Sequence, residues 1–182
     1  MVDSQHTIVA LVQDRPGVLN RVVSLLRRRG FNIASLAVGK SEQANFSRMT
    51  FVVEGDEDMV EQVTKQLSRL IEVIRVLELD DEDIVSRELA LIKVKTTASN
   101  RSEIMQLVDI FRANIVDVGP QSMIIEVTGE EEKVNALYEL LKPFGIRELM
   151  RTGRVAITRG IAEGKPTRIR TDSNGVRDYE GV

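Results

Sequence analysis

TIVALVQDRPGVLNRVVSLLRRRG, residues 7–30, joins a strand pattern, a turn and a helix pattern in one continuous stretch. The β-branched run 7–13 stops at the turn cluster 14–17, which predicts a buried strand. From Gly17 to Arg29 the apolar residues recur at helical spacing, and Gly30 follows a basic last turn. The stretch therefore predicts a strand followed directly by a helix.

The next residues complete a six-element pattern. Strands are predicted over 31–39 and 46–54, and the polar stretch 40–43 between them indicates a hairpin. Gly55 and Asp56 open a second helix, and residues 71–79 return as a strand. The order of the first half is β-α-β-β-α-β.

The same order recurs after the acidic run 80–83. The predicted elements are a strand at 88–95, a helix through 104–111, hairpin strands at 114–118 and 123–128, a helix from Glu130, and one or two strands within 145–157. The sequence therefore predicts an α+β fold of two tandem ferredoxin-like βαββαβ modules.

The repeat divides the chain into four parts. Residues 1–79 are the first module, 80–85 an acidic linker, 86–160 the second module, and the polar, glycine-containing segment 161–182 a flexible tail. Both helices of such a module cover one sheet face, so the other face and the edges need cover. Because neither face is strongly polar, we expect self-association, with two modules pairing edge to edge and a ligand cleft between their first helices.

Composition excludes several classes of function. The 182 residues carry 25 Lys and Arg against 28 Asp and Glu, a net charge of -3, so no basic field favours nucleic acid or an anionic membrane. The chain has no cysteine and one histidine, His6, which excludes thiolate metal sites and argues against histidine-based zinc sites and catalytic triads. We predict no catalytic residues, no metal site, no membrane segment and a cytoplasmic location.

The residues of the turn between the first strand and the first helix are suited to binding a small charged ligand. Pro16 suits the first helical position, and Gly17 lets a ligand approach the amides of Gly17, Val18 and Leu19. A helix N-terminus attracts a carboxylate, and Asp14 beside it offers a partner for an ammonium group, so the turn could hold both ends of an amino acid. The alternative is purely structural: Asp14 caps the helix and Pro-Gly shapes the turn.

An ordered series of segments resembles the small regulatory subunit of acetohydroxyacid synthase, also called acetolactate synthase, which begins with an ACT domain. The first-half segments are DRPGVLNR at 14–21, RRGFNI at 28–33, SL at 35–36 and SRMT at 47–50. The second-half segments are RELALIKV at 87–94, FGIRE at 144–148 and RTG at 151–153. The resemblance spans about residues 6–160, and it implies an N-terminal ACT domain followed by that family's C-terminal α/β domain.

The resemblance implies a noncatalytic subunit without a cofactor of its own. It implies a catalytic large-subunit partner that uses thiamine diphosphate, Mg and FAD, activation of that partner, and feedback inhibition by a branched-chain amino acid, usually valine. It implies a homodimer through the ACT domains, with the ligand between them. The implied ligand-binding residues are Asp14, Pro16, Gly17, Val18, Asn32 and Ile33.

One residue departs from the family pattern, which commonly has asparagine where this chain has Asp14. The carboxylate could strengthen an ammonium contact, or it could pair with Arg15 or Arg21 and weaken the response to valine. Two other functional classes remain as alternatives: a free-standing amino-acid-sensing ACT protein that regulates another enzyme or a transcription factor, and an enzyme in its own right. The second-half resemblance disfavours the first, and the lack of a nucleotide loop or nucleophile–base pair disfavours the second.

Overall fold

The computed structural model describes residues 4–79 and 84–160, so the acidic run 80–83 and the predicted tail 161–182 lie outside the described residues. Contacts divide the chain into two units, one made of residues up to Val85 together with those from Ala156, the other of Ser86–Val155. The elements match the predicted order throughout.

The first unit is a four-stranded antiparallel sheet with two helices. Its elements are β1 (Ser4–Gln13), α1 (Val18–Arg28), β2 (Ile33–Lys40), β3 (Phe46–Gly55), α2 (Glu57–Ser68) and β4 (Val73–Leu79). The strand order is β2-β3-β1-β4, so β2 and β4 are the edges. Both helices bury an apolar stripe against one sheet face, and the core residues include Ile8, Val22, Leu26, Phe51, Val60 and Leu67.

The second unit repeats this arrangement. Its elements are β5 (Ile84–Lys95), α3 (Arg101–Ile110), β6 (Asn114–Val118), β7 (Ser122–Gly129), α4 (Glu131–Leu141), a 3-10 turn (Lys142–Phe144), β8 (Ile146–Arg151) and β9 (Val155–Thr158). The first two residues of β5 and the β9 residues from Ala156 group by their contacts with the first unit. The strand order is β6-β7-β5-β8, and β9 also pairs with β5. The α+β prediction of two ferredoxin-like modules is confirmed.

Part of the second face of the first sheet is covered by the chain itself. Val9, Leu77 and Leu79 alternate with the helix-facing residues and pack with Ile84 and Ala156, two residues of the same unit that lie at the starts of β5 and β9. Ile84 and Val85, which the predicted linker includes, are therefore strand residues. Apolar residues on both sheet faces can therefore be buried within a single chain. Their presence alone is a weaker argument for self-association than the sequence suggested. Within the described residues, no helix combines the length and apolar character needed to cross a bilayer.

Candidate ligand-binding site

The turn of residues 14–17 is held at the end of β1 by backbone hydrogen bonds. The Asp14 amide donates to the Asn45 carbonyl at 2.8 Å, and the Arg15 amide donates to the Gln13 carbonyl at 3.1 Å. Gly17 has a φ of 88°, in the left-handed region where a side chain is strained. Apart from its two chain neighbours, no described residue has an atom within 4 Å of a Cβ added to Gly17, so the glycine is required by its backbone conformation and has open space beside it.

The helix start differs from both structural expectations for this turn. Gly17, not Asp14, is the N-cap of α1, and no side chain caps the helix, so the capping alternative is wrong. In α2, by contrast, the Asp56 carboxylate accepts from the Met59 amide at 2.8 Å. Pro16 lies before the N-cap, so its predicted place as the first helical residue is also wrong: the left-handed Gly17 delays the helix to Val18.

The amides at this helix start are unequally available. The Val18 amide donates to the Arg15 carbonyl at 3.3 Å and is already part of the turn. The amides of Gly17 and Leu19 donate to no acceptor in the described part of the chain, as expected for an uncapped N-terminus. The start of α1 therefore presents free N–H donors together with the positive end of the helix dipole.

Asp14, three residues before Gly17 in the same turn, is exposed. Arg21 on α1 pairs with Glu72, which precedes β4. Within residues 4–79 and 84–160, Asp14 forms no ion pair with Arg15 or Arg21, the two partners that would compete with a ligand. One locus thus offers amide donors for a carboxylate and a carboxylate for an ammonium group.

Asn32 and Ile33, the second half of the predicted site, lie at the start of β2. The Asn32 amide nitrogen donates to a carboxylate oxygen of Glu54 on β3 at 2.7 Å. Ile33 pairs with Val53 and packs against the core of the first unit. Glu54 was missed by sequence reasoning because a β-bulge between Ile33 and Ser35 shifts the register. The Ser35↔Val52 register alone would place Asn32 opposite Gly55.

The two halves of the site lie at opposite ends of the sheet. Gln13, next to Asp14, pairs with Phe46 at one end of β3, whereas Ile33, next to Asn32, pairs with Val53 near the other end. Seven residues of strand correspond to about 23 Å at roughly 3.3 Å per residue. One chain therefore does not bring Asp14 and Gly17 together with Asn32 around a single amino acid.

Two models of known protein families match this chain, one in each half. Residues 8–75 match the family model described as the AHAS small subunit-like ACT domain, so the first unit is an ACT domain. Residues 87–160 match the model described as the small subunit of acetolactate synthase. The chain belongs to the acetolactate synthase small-subunit family.

Individual relatives agree over nearly the whole chain. The acetolactate synthase small subunit of Mycobacterium bovis is 52% identical over 160 residues, covering 88% of this chain and 95% of the relative. The Aquifex aeolicus protein of the same name is 49% identical over 87% of this chain and 83% of its own length. The crystal structure of the Thermotoga maritima small subunit is 43% identical, with a TM-score of 0.83 over 87% of this chain and 99% of that one. The predicted regulatory-subunit assignment, with catalysis in the large subunit, is confirmed by this membership.

Proposed function

We propose that this chain activates a thiamine-diphosphate-dependent acetolactate synthase large subunit and makes it sensitive to feedback inhibition by valine. The observation that carries the proposal is the family membership, which extends across both units. In this assembly thiamine diphosphate, Mg and FAD belong to the large subunit. This chain contributes the effector site and the surface that docks to its partner.

The effector site needs two chains. Because β2 and β1 are both antiparallel to β3, the start of β2 lies at the sheet end opposite to the Asp14 turn. Antiparallel pairing of two β2 edges reverses one copy and brings its Asn32 to the turn end of the other. In a dimer paired through β2, β1 is three strand spacings from the partner's β2, about 14 Å at roughly 4.8 Å per spacing. In a dimer paired through β4, the same two strands are five spacings apart, about 24 Å. The β2 edge is therefore the seam that can complete the site.

The chemistry at that seam suits a zwitterionic amino acid. The free amides of Gly17 and Leu19 offer donors to its carboxylate, and Asp14 offers an acceptor to its ammonium group. A branched apolar side chain requires neither charge nor hydrogen bonds at its own end of the cleft. Valine satisfies all three requirements.

A free-standing ACT protein is the competing function, and the second unit argues against it. The match of residues 87–160 to the small-subunit model lies wholly outside the ACT domain. A sensor that regulates another enzyme requires no such second unit.

The test is reconstitution with the large subunit from the same source. We expect the chain alone to make no acetolactate from pyruvate, to copurify with the large subunit, and to raise its rate. Added valine should then lower the rate of the complex and leave the isolated large subunit much less affected. A chain that neither binds nor activates its large subunit would contradict the proposal.

A further inference from the structure

The hydrogen bond between Asn32 and Glu54 fixes which way the Asn32 amide faces. An ionised carboxylate only accepts hydrogen bonds, so the group of Asn32 that faces Glu54 at 2.7 Å must be its amide nitrogen. The amide oxygen of Asn32 is then the atom turned away from Glu54. Without Glu54, the Asn32 amide could rotate by half a turn and present its nitrogen instead.

We propose that Glu54 determines the polarity of the effector site by holding Asn32 with its amide oxygen toward the ligand. This inference rests on the proposed function and deepens it, because it adds a specificity-determining residue to the same site. An amide oxygen accepts hydrogen bonds, so the Asn32 side of the cleft selects a ligand group that donates, the ammonium group of an amino acid. The amides at the start of α1 select the carboxylate, and the ligand therefore enters in one orientation.

The bulge in β2 produces this pairing. Along Ser35–Lys40 the partners in β3 follow a single register, and the bulge then moves Ile33 onto Val53 and Asn32 beside Glu54. Bulges redirect side chains at the edges of sheets, often next to binding sites. Here the bulge replaces a glycine opposite Asn32 by a carboxylate.

The second unit contains the same pair and supplies a matched control. Asn114 opens β6 and donates its amide nitrogen to Glu126 on β7 at 3.2 Å, and the two residues are register partners. Asn114 and Glu126 therefore reproduce the local hydrogen bond at the corresponding place of a unit that contains no part of the effector site. A general effect of losing such a cross-strand bond should appear equally in both units.

The test measures calorimetric affinities of the full-length chain for L-valine and for its 2-hydroxy analogue, which carries a hydroxyl in place of the ammonium group. In Glu54→Ala we expect valine affinity to fall roughly 2- to 10-fold, the range for one hydrogen bond, while analogue affinity stays the same or rises. In Glu54→Lys, the lysine ammonium group only donates hydrogen bonds, so the Asn32 amide should turn its oxygen toward residue 54 and its nitrogen toward the ligand. The preference for valine over the 2-hydroxy analogue should then fall further. Glu126→Ala should keep both wild-type affinities.

A double-mutant cycle tests whether Glu54 acts through Asn32. Glu54→Ala should add no further loss in an Asn32→Ala background. Full additivity of the two changes would overturn the positioning role, as would equal losses for valine and the analogue in both Glu54 variants. Equal effects of Glu126→Ala and Glu54→Ala would overturn it too. A wild-type chain that bound no branched-chain amino acid would overturn the proposed function and this inference together, whereas normal valine binding with unchanged preference in both Glu54 variants would overturn the inference alone.

Discussion

At the scale of single residues, Gly17 determines where α1 begins and which of its amides stay free to bind a ligand. Its left-handed φ of 88° places the start of α1 two residues after Pro16 and leaves the N–H groups of Gly17 and Leu19 without acceptors in the described residues. Since a Cβ on Gly17 would contact no described residue beyond its chain neighbours, a substitution there acts on whatever enters the open space and on backbone strain.

Gly17→Asp should therefore abolish inhibition by valine while activation of the large subunit survives. The new carboxylate repels the ligand carboxylate and occupies the space beside the amides, and the left-handed backbone adds strain of about 1–2 kcal/mol. Inhibition curves and activation assays on the reconstituted enzyme measure the two effects separately.

Gly145→Asp is the matched control, because Gly145 is an exposed glycine of the second unit with a φ of 96°. It introduces the same charge far along the chain from the turn, on a backbone that also disfavours a side chain, with φ 96° and ψ 100° against φ 88° and ψ -12° at Gly17. Wild-type valine sensitivity in Gly17→Asp would show that the turn is only structural. Loss of activation in Gly17→Asp alone would show that the turn contacts the large subunit.

Asn32→Ala should also weaken valine binding, but by less than Gly17→Asp does. It removes a hydrogen bond from the ligand's ammonium group to a neutral amide oxygen, and hydrogen bonds to charged groups typically contribute about 1.5–3 kcal/mol. Valine titration by calorimetry checks this, and a loss larger than that of Gly17→Asp would mean that Asn32, not the helix start, dominates the site.

At the scale of helices and strands, the sequence predicts nearly all of the architecture. Strong periodicity and glycine or proline breaks located every α-helix and hairpin in the described residues, but not the 3-10 turn at Lys142–Phe144. The sequence could not predict the bulge in β2, because bulges depend on how two strands meet and leave no local pattern, and so Glu54 was missed. The turn motif correctly located the amide donors at the start of α1 but placed Pro16 inside the helix. Gly17 is the N-cap in a left-handed conformation, and residue types alone do not reveal that conformation.

The best-enclosed ion pair of the second unit should stabilise it measurably. Arg151 at the end of β8 donates to Glu88 on β5 at 2.7 Å and to Asn135 on α4 at 2.8 Å, and the Glu88 side chain is only 9% exposed. The hydrogen bond with Glu88 raises the pKa of Arg151. Arg151→Met leaves an enclosed carboxylate unpaired and should cost about 2–3 kcal/mol, below the full penalty of a buried pair because Arg151 is itself 30% exposed.

Urea unfolding measures this cost, and Lys93→Met is the control. Lys93 pairs with Glu148 at 2.7 Å, but the Glu148 side chain is 72% exposed, so the loss should stay below about 1 kcal/mol. Adding Glu88→Met to Arg151→Met should recover stability, because no charge then remains enclosed. Equal costs for Arg151→Met and Lys93→Met would contradict this account of the pair.

The β2 edge should be where two chains pair. Val38 on β2 is 46% exposed, so Val38→Asp should leave the fold intact and place repelling charges along a paired edge. Sedimentation equilibrium should show a weaker dimer for Val38→Asp than for Ile71→Asp, which changes an 80% exposed residue just before the β4 edge. The reverse order would place the seam at β4.

At the scale of the whole molecule, the proposed function assigns activation and inhibition to different surfaces. Inhibition requires that valine bind the two states of the enzyme complex with different affinity, and the two halves of its site lie about 23 Å apart in one chain. We expect docking to the large subunit to use neither half of this site. On this basis we expect a substitution in the turn to remove the response to valine and to leave activation.

Subunit mixing tests the two-chain site most directly. A chain carrying Gly17→Asp and a chain carrying Asn32→Phe, a bulky blocking change, each form homodimers that should bind no valine. Their heterodimer, purified with two different tags, unites both lesions in one site and leaves the other site intact. We predict one valine per heterodimer with wild-type affinity; a heterodimer that binds no valine would show that each site is built within a single chain, and would contradict the account.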